Sequence, residues 1–141
     1  MKIVFNKFNN YFINEFDKNH KPIFINDKCK YITKLGNEYI FYYIGDNKYM
    51  LDNDDNIYKL NSLSGKPSSK DIETLDNENN YYIVCYFDNM NDLLLGIMKV
   101  SNDFNEAYQY FNEGILSHQK EIDELPVFKE FIYQKLFKIK S

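Results

Sequence analysis

At 141 residues and a formal net charge of −4, the chain has the size of one ordinary domain and can bury roughly two thirds of its unfolded surface in a single core. Its 44% hydrophobic and 18% aromatic content, with Tyr 13 and Phe 12, can offset the conformational entropy of folding, which excludes disorder over most of the length. All 17 basic residues are lysine; lacking the bidentate guanidinium fork and carrying an acidic balance, the chain is not expected to bind nucleic acid.

The dominance of Asn, Lys, Ile, Tyr and Phe is what an AT-rich genome writes, as phages and mobile elements often carry, so Asn-rich patches such as Asn9-Asn10 are read as codon bias. Cys29 and Cys85 stand far apart in no metal-binding spacing and are expected to be reduced, buried and inert. Polar residues interrupt the amino terminus before a signal-peptide core could form, and no apolar run is long enough to span a bilayer. The expectation is a cytoplasmic protein that does not engage membranes.

Taken in order, Ile3 to Phe5, Tyr11 to Ile13 and Ile23 to Ile25 are candidate short edge strands, with Pro22 permitted at a strand start. Lys30 to Leu35 alternates, Gly36-Asn37 signals a two-residue hairpin, and Glu38 to Ile44 is rich in aromatic and β-branched residues. Gly45-Asp46-Asn47 turns the chain into Lys48 to Leu51, and the polar cluster Asp52 to Asn56 turns it again into Ile57 to Leu60. These runs predict an antiparallel meander, either an open sheet or a partly open barrel. The stretch 61–80 reads as a long polar loop inside one domain, with room for a single helical turn around Asp71 to Leu75 capped by Ser68 or Ser69. Splitting the chain there would leave two pieces each marginal in burial.

The strongest pattern is Tyr81 to Val100. Tyr81 to Phe87 and Leu93 to Val100 flank a polar loop of Asp and Asn, predicting a hairpin whose first strand is apolar on both faces and therefore central. Beyond it the period lengthens to that of a helix. Asp103 as N-cap and Glu106 three residues on open a helix with Phe104, Ala107, Tyr108, Phe111 and Ile115 on one face; Gly114 leaves its end undecided. Pro126 then predicts a second helix, with Val127, Phe128, Phe131, Ile132, Leu136 and Ile139 as its stripe and lysines opposite. The fold class expected is α+β: a meander, then the hairpin, then two C-terminal helices packed on the sheet, all in a single domain of residues 1–141.

Motifs for chemistry fail on inspection. Asp52 to Asn56 begins like a calcium loop, but Ile57 stands where the sharp turn needs Gly and Leu63 where a bidentate Glu should sit. The stretch Ser64 to Ser68 lacks the first Gly and the Ser or Thr of a phosphate loop. His20 and His118 are the only imidazoles available to activate a Cys or Ser nucleophile, and both lie far in sequence from the cysteines; only the fold could pair Cys85 with His118 or Cys29 with His20, and an inert core thiol with a surface imidazole is the expectation. No catalytic residue, metal site or cofactor is assigned. Tyrosine remains in surplus, and Tyr beside carboxylates makes an adaptable contact surface. Asp54, Asp55, Tyr58, Tyr42, Tyr82 and Tyr86 are therefore the candidate contact residues of a non-catalytic binding protein, inhibitor-like or immunity-protein-like, with a protein partner or a second copy of itself. The alternative is a pocket lined by these tyrosines that holds a nucleotide-like or aromatic metabolite.

Overall fold

The computed structural model describes residues 10–52, 54–75, 79–117 and 132–140. These fall into two compact units, Phe12–Asn77 and Glu78–Ser141 together with Met1–Tyr11. The division lies within the polar stretch 61–80.

In the first unit, β1 (Phe12–Phe16) and β2 (Pro22–Phe24) form a two-stranded antiparallel sheet. A five-stranded antiparallel sheet follows, built from β3 (Asp27–Ile32), β4 (Glu38–Gly45), β5 (Lys48–Met50), β6 (Tyr58–Lys59) and β7 (Glu73–Thr74) in the order β6-β5-β4-β3-β7. This is the predicted meander with β7 returning beside β3. It stays open, with β6 and β7 as edges among the described residues, so no barrel closes. Alternation sends Cys29, Tyr31, Phe41, Tyr43 and Tyr49 to one face, where Ile23, Leu60 and Ile72 complete a buried core. The residues between them on the strands, Lys28, Lys30, Ile32, Ile40, Tyr42 and Met50, belong to the opposite face by their register.

Turn chemistry sets the register of this sheet. Asp46 and Asn47 both take left-handed φ, +53° and +56°, as a type I′ hairpin demands and as Asp and Asn tolerate. The β3–β4 turn is not the two-residue Gly36-Asn37 hairpin. Gly36 N–H donates to the Thr33 carbonyl and Thr33 N–H to the Asn37 carbonyl, so the loop is three residues long and Gly36 takes its left-handed position at φ +88°. The sequence signal located the turn but misjudged its length, because Gly serves both geometries.

Asp17 organises the turn after β1. It is 2% exposed; its Oδ1 accepts the N–H groups of Asn19 and Lys21, and its Oδ2 accepts both the N–H and the hydroxyl of Thr74. A buried carboxylate is tolerable only when so fully bonded. Within the 61–80 stretch, Ser69–Asp71 forms a 3-10 turn closed by a Ser68–Asp71 capping box; it ends where the expected turn of Asp71 to Leu75 begins, and Glu73–Thr74 there is strand β7 instead.

In the second unit, β8 (Asn80–Asp88) and β9 (Leu94–Ser101) make the predicted hairpin, and β8 is central in a three-stranded antiparallel sheet of order β10-β8-β9. Its other neighbour corrects the prediction. Ile132–Lys140 is not a helix but a strand, β10, paired with β8 without a break from Ile132↔Asp88 to Lys140↔Asn80. The apolar stripe Ile132, Leu136 and Ile139 suits a helix, yet Ile-Tyr-Gln-Lys-Leu-Phe-Lys-Ile suits a strand as well. A central strand apolar on both faces needs a partner on each edge, and that long-range demand overrides local periodicity. The remainder of the predicted second helix, Pro126 to Phe131, lies outside the described residues, as do His118 and the candidate strand Ile3 to Phe5. Among the described residues one α-helix stands, α1 (Phe104–Ser117), and it runs through Gly114.

Helix α1 packs on β8, β9 and β10. Ala107 is fully buried, and Phe104 meets Tyr82 edge-on at 5.4 Å. Asp103 caps the helix by accepting Asn105 N–H. Glu106 does not close a capping box onto Asp103; it accepts from the Ser101 hydroxyl and pairs with Lys99 at 2.7 Å, while Ser101 Oγ takes the Asp103 N–H. Those two partners, Lys99 first, hold the Glu106 carboxyl below its ordinary range.

Candidate functional site

In the Phe12–Asn77 unit, the candidates Tyr42 and Tyr58 fall on opposite faces of the sheet. Asp54 and Tyr58 do meet, the Tyr58 hydroxyl donating to Asp54 Oδ2 at 2.6 Å while Asp54 Oδ1 accepts Asn56 N–H. The phenol bond, and then the amide, lower the Asp54 pKa, and the same bond raises that of Tyr58. Tyr58 also stacks on Tyr49 at 5.4 Å, so its ring closes the β6 end of the core and its hydroxyl pins the acidic turn. Asp55 is exposed beside it. Tyr42 lies on the opposite face of the sheet, where its cross-strand neighbours are Lys28 and Met50.

Tyr82 and Tyr86 belong to the other unit and to the helix-bearing face of its sheet. Tyr82 is half-buried against Phe104. Tyr86 is 0% exposed and packs with Ile132, Leu95 and Met98; its ring is core and presents no contact surface.

What the sequence reading missed is the character of the Tyr42 face. Ile32 is 46% exposed and Ile40 47%, and Tyr42, Ile44 and Met50 are half-exposed beside them. On a one-sided antiparallel sheet the solvent face is ordinarily polar. Here an apolar stripe of Ile32, Ile40, Tyr42, Ile44 and Met50 runs across it, interleaved with Lys28 and Lys30; Leu51 and Ile57 are also exposed but lie outside the strands. Lys30 reaches Glu73 at 3.9 Å, a loose, half-buried pair, and the Lys28 side chain is exposed. Strict alternation with Phe41 and Tyr43 was the available signal, because once those two are core, Ile40, Tyr42 and Ile44 must face outward.

No protein-family model, no curated protein and no solved structure matches this chain.

Among the described residues no group of three or more His, Cys, Asp and Glu side chains is placed to hold a metal ion, and no helix is long and apolar enough to cross a membrane. Cys29 and Cys85 are both free and fully buried. The Cys29 thiol donates to the Asp27 carbonyl, and burial pushes the Cys85 thiol up to about 12; neither is poised as a nucleophile. His20 is exposed.

A second feature lies in the hairpin unit. Phe87, Tyr133 and Phe137 line an open hollow of about 520 Å³ with Lys135 and Leu94. Phe87 stacks on Tyr133 at 5.3 Å, and the Tyr133 hydroxyl donates to Asp92 Oδ1 at 2.7 Å. Desolvation, followed by that bond and the Asp92 charge, pushes the phenol up to about 12, so it remains a neutral donor at ordinary pH. These aromatics were hidden from sequence because β10 reads as a helix.

Proposed function

We propose that this chain is a non-catalytic binding protein that acts by occupying a partner protein's surface, and that the outer face of β3, β4 and β5 is what it presents. The observation that carries the reading is the stripe of exposed Ile32 and Ile40 with half-exposed Tyr42 and Met50 on a sheet face where polar side chains would cost nothing. Full burial of one such Ile contributes about 1.5–3 kcal/mol, so a few half-exposed residues around a Tyr can serve as an interface centre. Lys28 and Lys30, interleaved with the stripe, favour a partner whose apolar patch carries acidic side chains. In this reading the Asp54–Tyr58 bond holds the β5–β6 turn in place, and Asp55 is the exposed charge at its edge.

Native mass spectrometry of the protein purified gently from its own source tests this, comparing the natural chain with Ile40→Lys and with Asp54→Lys plus Asp55→Lys. The expected result is a co-purifying polypeptide that Ile40→Lys loses while its thermal unfolding is unchanged; a second copy of the chain in that role would make the partner the protein itself. Loss in the Asp variant would extend the surface to the acidic turn. Retention of the polypeptide by Ile40→Lys, or a gain of a few hundred daltons in place of a polypeptide, overturns the proposal.

The aromatic hollow of Phe87, Tyr133 and Phe137 favours a second reading, an aromatic metabolite held by stacking. It uses none of the tyrosines first named from sequence.

A further inference from the structure

In the Phe12–Asn77 unit, two short turns face each other across a cleft of about 660 Å³, within the size range of small-molecule sites. One turn is organised by Asp17 and carries Lys18 and His20; the other, Ser69–Asp71, carries Ser69 and Lys70. Both are held by internal hydrogen bonds. Besides the side-chain bonds to Asp17, the Asp17 and Lys21 backbones are joined, His20 N–H donates to the Asp17 carbonyl, and Lys18 N–H donates to the Ile72 carbonyl. His20 and Asn14, which also lines the cleft, sit at φ +61° and +59°; such conformations are uncommon outside glycine and fix the chain's direction there. The walls are therefore set before any ligand arrives.

Charge accounting then decides what the cleft can take. Its two carboxylates already accept protein donors: Asp17 those of Asn19, Lys21 and Thr74, and Glu15 the Tyr43 hydroxyl at 2.6 Å and the Asp46 N–H at 3.2 Å. The cations are not so committed. Lys18 has only a loose, exposed contact with Glu73 at 3.5 Å, and Lys70 has no ion-pair partner among the described residues. Ser69 adds a hydroxyl, and half-buried Phe16 an apolar wall, its ring edge-on to Phe12 at 5.6 Å.

We propose that this cleft binds a small organic monoanion, its acidic group between Lys18, Lys70 and His20 and its flat apolar body against Phe16. Asp17 and Glu15 line the same cleft, and repulsion from their carboxylates disfavours a polyanion. The inference is independent of the sheet-face reading, since it uses a different surface of the unit.

The probe is phenylacetate, titrated into the full chain with backbone amide shifts followed by NMR, beside its neutral isostere phenylacetamide. A ligand of about ten non-hydrogen atoms bound at ordinary efficiency has a Kd on the order of 1 mM. The expected result is saturable shifts confined to residues 14–20 and 69–70, at least about tenfold weaker binding of phenylacetamide, and a similar loss in Lys18→Ala plus Lys70→Ala. Both lysines are exposed, and an unchanged amide spectrum elsewhere verifies that the variant folds. No saturable shift, shifts centred elsewhere, equal binding of the amide, or binding unaffected by the double substitution would each overturn the proposal.

Discussion

Removing the Asp17 carboxylate isolates the contribution of a single buried charge to the first unit. In Asp17→Ala the amides of Asn19 and Lys21 lie in an exposed turn where water can replace the lost acceptor, so they contribute little. Thr74 is different: it is 5% exposed, and both its N–H and its hydroxyl donate to Asp17 Oδ2, at 3.0 and 3.1 Å. Leaving a buried donor unmade costs about 1–3 kcal/mol, and the hydroxyl can relax more easily than the amide, so the total is about 3–4 kcal/mol. Thr74→Val removes only the hydroxyl's bond and should cost about 1 kcal/mol. The double variant should fall short of the sum by roughly the same 1 kcal/mol, because without the carboxylate the hydroxyl has nothing to lose. Urea unfolding followed by tyrosine fluorescence reads all three; with a slope of about 1.5 kcal/mol/M, the Asp17→Ala midpoint drops by about 2–3 M. A loss below about 1 kcal/mol, or strict additivity with Thr74→Val, would refute the argument that this carboxylate joins the β1 turn to β7.

Tyr43 provides a pH test with a definite sign. Burial, then the bond to Glu15, raises its pKa above the ordinary phenol value, so the folded state holds the proton more tightly than the unfolded one. That stability is complete below about pH 10 and is lost as pH rises through the folded value. The urea midpoint should therefore fall above about pH 10, and Tyr43→Phe, which costs about 1–2 kcal/mol at neutral pH, should flatten the fall; an unchanged alkaline slope in the variant would remove Tyr43 as its cause. Gly36 and Gly45 share φ +88°, but a Cβ on Gly36 meets nothing within 4 Å while one on Gly45 would lie 3.2 Å from Ile13 Cδ1. Gly36→Ala should show the left-handed penalty alone, about 1–2 kcal/mol, and Gly45→Ala roughly 1 kcal/mol more. Equal melting shifts would mean that the Gly45 contact relaxes freely.

Local signals carried much of the fold. The I′ turn at Asp46-Asn47, the Asp103 cap, the hairpin and the central place of β8 all rest on residues adjacent in sequence or on a strand apolar on both faces. The Asp17 turn had a local trace too, an Asp inside a polar run between apolar ones. Its partner Thr74 had none, being 57 positions away. The candidate site was less legible. Asp54 with Tyr58 was within reach, four residues apart on one turn, but alternation alone could not say whether Tyr42 or Tyr43 faces the core.

By itself, then, the sequence determined the antiparallel meander, the hairpin with its buried first strand and the capped helix, because turn geometry and side-chain period act over a few residues. Only the tertiary structure decided that Ile132–Lys140 is a strand, that Tyr86 is core and Tyr42 surface, and that lysines from separate turns share a cleft with satisfied carboxylates. Each of those depends on which distant segment supplies the missing edge, face or hydrogen-bond partner, and a nine-residue stretch that fits both periods takes the one its neighbour can pair with.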